Sequence, residues 1–139
     1  SMFKLLKNKK GVTLVELLAV VVILGIIAAI AVPTIGGLIA RQQANADRAT
    51  FTSIEQAAIT YATAEQDSEF TLEEMQTKGY IDLKGVEVGF TKANDATYAD
   101  VWVKVSGSSV QIFSTDPSSS PTPTAETTFY INETKVLAP

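Results

Sequence analysis

A single acidic residue, Glu16, lies inside an otherwise uncharged apolar stretch that runs from Val12 to Val32. An ionised carboxylate in hydrocarbon is unfavourable by several kcal/mol unless a cation or hydrogen-bond donors face it. The stretch itself contains no cation. Glu16 therefore predicts an ion pair with a group that lies elsewhere, and it is the first functional residue that the sequence indicates.

The stretch that carries Glu16 has the length of a membrane span. About 20 apolar residues cross a hydrocarbon core of about 30 Å as an α-helix, and this run meets that length. Four lysines precede Glu16 and no acid does, so the positive-inside rule predicts a cytoplasmic N-terminus and an extracellular remainder. Ser1, which precedes Met2, is interpreted as a cloning remnant.

Composition excludes several classes of function. The 139 residues include no Cys and no His, which removes disulfides, thiolates, imidazoles and soft-metal ligands. After Val32 there are seven basic and fourteen acidic residues, a net charge of −7, which does not attract nucleic acid. No nucleophile with a base and no phosphate-binding glycine loop is present. The sequence predicts no enzyme, no cofactor and no metal site.

The helix is predicted to continue beyond the span. Pro33 lacks an amide hydrogen, so a kink or local melting is expected around it. From Leu38 to about Glu65 apolar residues recur every three or four positions, which indicates an amphipathic helix. Its polar positions are predicted to be Arg41, Gln42, Asp47, Arg48, Glu55 and Gln56.

The remainder is predicted to form one short helix and several strands. Thr71 and Glu74 form a capping-box pattern, and Gly79 is expected to end that helix. Strands are predicted at 86–90, 98–105, 110–113 and 129–136, with a hairpin turn at 106–109 and an irregular Ser/Pro loop at 117–124. The predicted fold class is α+β: a long N-terminal helix, half transmembrane and half amphipathic, packed on an antiparallel sheet of three or four strands.

The segment Lys10-Gly11-Val12-Thr13-Leu14-Val15-Glu16-Leu17-Leu18 resembles the processing site of type IV prepilins. The resemblance implies cleavage after Gly11 by a prepilin peptidase and N-methylation of Val12. It assigns filament assembly to Thr13 and Glu16, with the new Val12 amine of one subunit facing Glu16 of its neighbour. It also makes Gly25 and Pro33 helix-weakening positions, so the segment from about Gly25 to Pro33 is predicted to be helical in an isolated subunit and partly unwound in the filament.

The resemblance further implies a pilin fold and a helical homo-oligomer at the cell surface. Its partners would be the peptidase, an assembly platform and an ATPase. Its role would be motility, adhesion, DNA uptake as a competence pilin, or secretion as a pseudopilin. Residues 71–81 look more like pilins of Gram-positive bacteria. Many pilins close a C-terminal loop with a disulfide, which this chain cannot form. The predicted domains are the leader 1–11, the core helix 12–35 and the extracellular head 36–139.

Other interpretations of the same residues stay open. The N-terminus could be a plain signal anchor, or a secretory signal cut before Val32, which would leave a monomeric membrane-anchored or secreted binding module. Glu65, Asp67 and Glu69 suggest calcium, although a solvated acidic loop is favoured. Asn132-Glu133-Thr134 matches a glycosylation sequon but is interpreted as strand. Trp102 is interpreted either as a contact residue at a subunit interface or as the cover of a helix edge. The Ser/Pro loop is interpreted either as a flexible connection or as a carrier of glycans.

Overall fold

The computed structural model describes the backbone of residues 2–137 and the side chains of residues 13–137. The chain divides into two compact units, Ser1–Gln42 and Gln43–Pro139. Its first element, α1 (Met2–Glu65), supplies all the regular structure described for the first unit and the first part of the second. All strands belong to the second unit.

In the first unit α1 remains helical through Gly25 and Pro33. The Thr34 hydroxyl donates to the carbonyl of Ile30 at 3.2 Å, beside the position where proline removes a helical hydrogen bond. Of the two expected effects of Pro33, a kink or local melting, the melting is therefore absent. Helical structure between Gly25 and Pro33 agrees with the prediction for a subunit outside a filament.

In the second unit α1 is amphipathic, as predicted. Phe51, Ile54, Ala58 and Tyr61 are buried and recur at intervals of three or four residues. Each removes apolar area from water, which stabilises the fold by about 25 cal/mol per Å². The prediction was wrong at Asp47, which was assigned to the polar face and is only 1 % exposed.

The first sheet contains the strands β1 (Glu69–Thr71), β3 (Trp102–Ser106) and β4 (Ser109–Phe113), in the order β1-β3-β4 and all antiparallel. Phe70, Val103 and Ile112 pair across it and are all buried. Phe70 also lies against Tyr61 of α1, with ring centroids 4.1 Å apart. This cross-strand row therefore joins the sheet to the helix.

The second sheet contains β2 (Val88–Gly89), β5 (Tyr130–Ile131) and β6 (Thr134–Lys135), in the order β2-β5-β6. Val88 pairs with Ile131, and both side chains are buried. Phe129, directly before β5, is fully buried and packs near Phe51 and Phe90 at centroid distances of 6.0 and 5.8 Å. These contacts place the second sheet on the same core as the first.

Local signals fix several element ends. The short helix α2 (Leu72–Thr77) begins at Thr71, whose hydroxyl accepts from the Glu74 amide while the Glu74 carboxylate accepts from the Thr71 amide. The capping box is thus confirmed, and Gly79 follows the helix with a φ of +82°. Gly107, at φ +62°, makes the tight turn of the predicted β3–β4 hairpin.

The α+β fold and the three-stranded antiparallel arrangement are confirmed, and four details differ from prediction. The strands form two sheets rather than one, and β1 was not predicted. Tyr98–Asp100 is a 3₁₀ helix, so the strand predicted from residue 98 begins at Trp102. The strand predicted at 129–136 is the β5–β6 hairpin, because Asn132 and Glu133 have φ of +47° and +69° and reverse the chain.

Candidate assembly site

The first unit exposes a long apolar helix surface. Sixteen large apolar side chains between Leu14 and Ile39 are each at least 50 % exposed. The segment Thr13–Glu65 contains a stretch with a mean hydropathy of 3.0, none of which is buried. By length and composition this helix could cross a membrane. A surface of this kind requires lipid or apolar partners rather than water.

Glu16 lies within this apolar surface. Its side chain is exposed, and within residues 13–137 it forms no hydrogen bond or ion pair. Leu14 and Leu17, its apolar neighbours, are 68 % and 60 % exposed. A carboxylate in such a setting has to be neutralised from outside this part of the chain once the helix leaves water.

The predicted site residues are described unequally. Thr13 and Glu16 lie on α1, one helical turn apart in sequence. Gly11 and Val12, the predicted cleavage and methylation positions, lie outside the described side chains. Gly25 and Pro33 lie on the exposed helix, and a Cβ built on Gly25 would meet nothing within 4 Å. Packing inside the first unit therefore does not explain the glycine.

The second unit contains a buried carboxylate that sequence reasoning missed. Asp47 Oδ1 accepts from the amides of Gln43 at 3.0 Å and Asn132 at 3.1 Å, and its Oδ2 accepts from the Thr134 hydroxyl at 2.6 Å. Within the described residues Asp47 forms no ion pair. Three donors thus hold a buried charge in place of a cation. Asp47 therefore joins the β5–β6 hairpin to α1.

The β5–β6 hairpin is also held by hydrogen bonds to residues 87 and 94. The Asn132 Oδ1 accepts from the Glu87 amide at 2.9 Å, so both ends of its side-chain amide are bonded. Asn94 donates to the Glu87 carboxylate at 2.9 Å and accepts from the Glu133 amide at 3.2 Å. The turn at residues 132–133 is consequently held by three separate segments, through the side chains of Asp47 and Asn94 and the backbone of Glu87.

The acidic residues between α1 and β1 serve local contacts. The Tyr80 hydroxyl and the Lys78 ammonium bond Glu65 at 2.9 and 3.2 Å and hold the pKa of its carboxyl below the usual value. Asp67 accepts from the Glu69 amide, and Glu69 pairs with Lys104 at 3.3 Å. Within residues 13–137, no three acidic side chains gather in a metal-binding group. Glu65, Asp67 and Glu69 therefore each form a contact within the second unit.

Trp102 is half-buried on the sheet face opposite to the valines of β3. It pairs with Thr71 on one neighbouring strand and Phe113 on the other. A cleft beside it is lined by α2 residues including Glu73 and Thr77. Trp102 and α2 therefore line the same cleft.

Comparison with known proteins gives one finding. A family model described as the prokaryotic N-terminal methylation motif matches residues 6–32. No curated protein and no solved structure matches the chain. The matched segment includes Glu16, Gly25 and the whole apolar stretch from Val12 to Val32, and it leaves the second unit uncovered. The N-terminal segment therefore carries the methylation motif of a prepilin-like precursor.

Proposed function

We propose that this chain is the structural subunit of a type IV pilus or a related filament. The observation that carries the proposal is the coincidence of a methylation motif at residues 6–32 with a segment of α1 whose large apolar side chains are exposed and which contains a single charge between residues 13 and 32. A membrane can hold such a helix before assembly, and neighbouring copies can enclose it afterwards. The subunit is inserted with its N-terminus in the cytoplasm, where the lysines of residues 1–11 lie.

The proposed maturation creates the cation that Glu16 lacks. Cleavage after Gly11 by a prepilin peptidase frees the amine of Val12, which is then methylated and stays positive. This amine on one subunit pairs with Glu16 on the next, and Thr13 lies between the two charges in sequence. The pair selects filament contacts over lipid contacts because lipid offers no equivalent positive group inside the hydrocarbon.

Gly25 and Pro33 are proposed to let the helix extend within the fibre. Glycine and proline are the two residues that destabilise a helix interior most. The large apolar side chains between them are each more than 50 % exposed. A filament structure with unbroken helix from Gly25 to Pro33 would contradict this part of the proposal.

The test begins with the intact mass and N-terminal sequence of the protein isolated from its own cells. An N-methylated Val12 is the expected result. A start at Val32 would support secretion as a soluble module, and an intact leader would support a plain membrane anchor; either result refutes the proposal. The assembly platform and ATPase would then be sought as proteins that co-purify with the membrane form.

The second test replaces Glu16. Breaking one partner of a buried ion pair costs about 3–5 kcal/mol. We therefore expect Glu16→Ala to lower the amount of sheared filament by at least about a hundredfold while the level of membrane-inserted subunit is unchanged. Glu73→Ala, an exposed carboxylate in α2, is the control. Normal filaments from Glu16→Ala would remove its proposed role.

A further inference from the structure

Two segments of the second unit have sequences that suit covalent sugar attachment, and the structure distinguishes between them. One is the sequon Asn132-Glu133-Thr134, and the other is the Ser/Pro loop, Pro117 to Thr124. Sugar transfer to a folded protein requires an acceptor atom that reaches solvent and is free of strong internal bonds. The hydrogen bonds of each segment therefore indicate which one can be an acceptor.

The sequon fails this requirement. The Asn132 amide nitrogen, the atom that an N-linked sugar would occupy, donates to the buried Asp47 carboxylate. The Thr134 hydroxyl, the other sequon side chain, donates to the same carboxylate at 2.6 Å. Diverting either donor would leave a buried charge with fewer partners, which is strongly unfavourable. In the folded protein the side chains of this sequon hold the β5–β6 hairpin to α1 through Asp47.

The Ser/Pro loop meets the requirement. Ser119, Ser120, Thr122 and Thr124 are exposed, and within residues 13–137 their hydroxyl groups have no hydrogen-bond partner. The preceding Ser118 differs, because its hydroxyl donates to Asp116 at 2.6 Å. Prolines at 121 and 123 fix φ and remove backbone donors, which favours extended chain. The four hydroxyls thus lie within residues 119–124, none of which is buried.

The base of this loop is fixed. The Glu126 amide donates to the Ile112 carbonyl at 2.7 Å, and the Ser114 hydroxyl donates to the Glu126 carboxylate at 2.5 Å. Pro117 is buried, and Asp116 accepts from the Ser118 amide at 2.9 Å. The free hydroxyls are therefore presented on a loop whose ends are held, and modifying them disturbs no contact of the fold.

We propose that the tract Ser119–Thr124 is a site of O-linked glycosylation. A hydroxyl oxygen of the tract attacks the anomeric carbon of an activated sugar phosphate, forming the new C–O bond as the bond to the phosphate breaks. The hydroxyl proton passes to a base of the transferase, and the phosphate leaves with the bonding electrons. Serine- and threonine-rich segments with proline are the compositions that carry such sugars. The proposal rests on the external location of the second unit given by the proposed function.

The experiment is mass analysis of the protein isolated from its own cells, with electron-based fragmentation to locate any added group. We expect masses raised by whole sugar residues, located between Ser119 and Thr124. The variant in which all four residues are replaced by Ala should lose this addition completely. Ser108→Ala, an exposed serine of the β3–β4 turn with no proline beside it, should retain it.

Three results would overturn the proposal: no added mass, a phosphate in place of a sugar, or a sugar on Asn132. Circular dichroism of the fourfold variant should match the parent chain, because none of the four side chains contributes to the core. The same spectra report the N-terminus. A methylated Val12 without sugar refutes only the modification, whereas sugar on a chain with an intact leader refutes only the proposed processing.

Discussion

Asp47 offers the sharpest test of how the second unit is held together. Replacement by alanine removes the acceptor shared by Gln43, Asn132 and Thr134. Gln43 is exposed, so its amide turns to water without loss, whereas Asn132 and Thr134 are half-buried. An unsatisfied donor costs about 1–3 kcal/mol. We therefore expect Asp47→Ala to lower the free energy of unfolding by about 2–4 kcal/mol.

The measurement is urea denaturation of the full chain in detergent, with unfolding monitored by circular dichroism. Gln56→Ala is the matched control, because Gln56 is exposed on α1 and its side chain bonds nothing within the described residues. It shares the gain in helix propensity that alanine brings and should change stability by less than about 0.5 kcal/mol. Equal effects of the two substitutions on the free energy of unfolding would refute the role of Asp47 in holding the β5–β6 hairpin to α1.

A double-mutant cycle measures the contribution of the Asp47–Thr134 hydrogen bond to stability separately from the other effects of each substitution. Thr134→Val keeps the shape of the side chain and leaves Oδ2 of Asp47 without a donor, which costs about 1.5–3 kcal/mol. Once Asp47 is alanine, the same change should cost much less. A coupling energy of at least about 1 kcal/mol is expected, and additive effects would mean that the 2.6 Å contact contributes nothing.

Three further predictions address the loops of the second unit. Gly89→Ala should lower stability by about 1–3 kcal/mol in urea denaturation, because its Cβ would lie 2.6 Å from the amide nitrogen of Asp95; an unchanged midpoint would contradict this packing. Thr71→Ala should cost about 1 kcal/mol through the lost N-cap, while the exposed Thr52→Ala should cost little. Backbone amides hold the pKa of Asp95 and Asp100 below the usual value, so their stabilisation is present above about pH 4 and is lost as the pH falls through the native pKa values. Replacing both by Asn should flatten the acid limb of a stability–pH curve.

Features of the fold that arise from neighbours in sequence could be predicted. The capping box links Thr71 to a residue three positions on, the hairpin turn needs only Gly107 and its flanks, and the buried face of α1 repeats every three to four residues. Each is a local pattern whose physical cause acts within one or two turns of chain. The buried valines of β3 follow in the same way from alternation along one strand.

Features that depend on distant partners could not be predicted. Asp47 has the sequence context of an exposed helix position, and its donors Asn132 and Thr134 lie 85 and 87 residues away. The strands β2, β5 and β6 have two residues each, too few to show a period of two. β1 has three residues and is defined by pairing with β3. In each case tertiary contact, rather than local preference, decides the structure.

Asp47 and Glu16, two carboxylates without an ion pair within residues 13–137, show how burial and function separate. Asp47 is buried in the folded protein, and hydrogen-bond donors from its own unit satisfy it. Its substitution should therefore change stability. Glu16 has no such donors within residues 13–137, and the residues beside it in sequence, Leu14, Val15, Leu17 and Leu18, are apolar and exposed. In the proposed filament this charge acquires its partner during association, so substitution of Glu16 should change assembly and leave the stability of the second unit unaltered. Measuring both quantities for both variants therefore tests the division between folding and assembly directly.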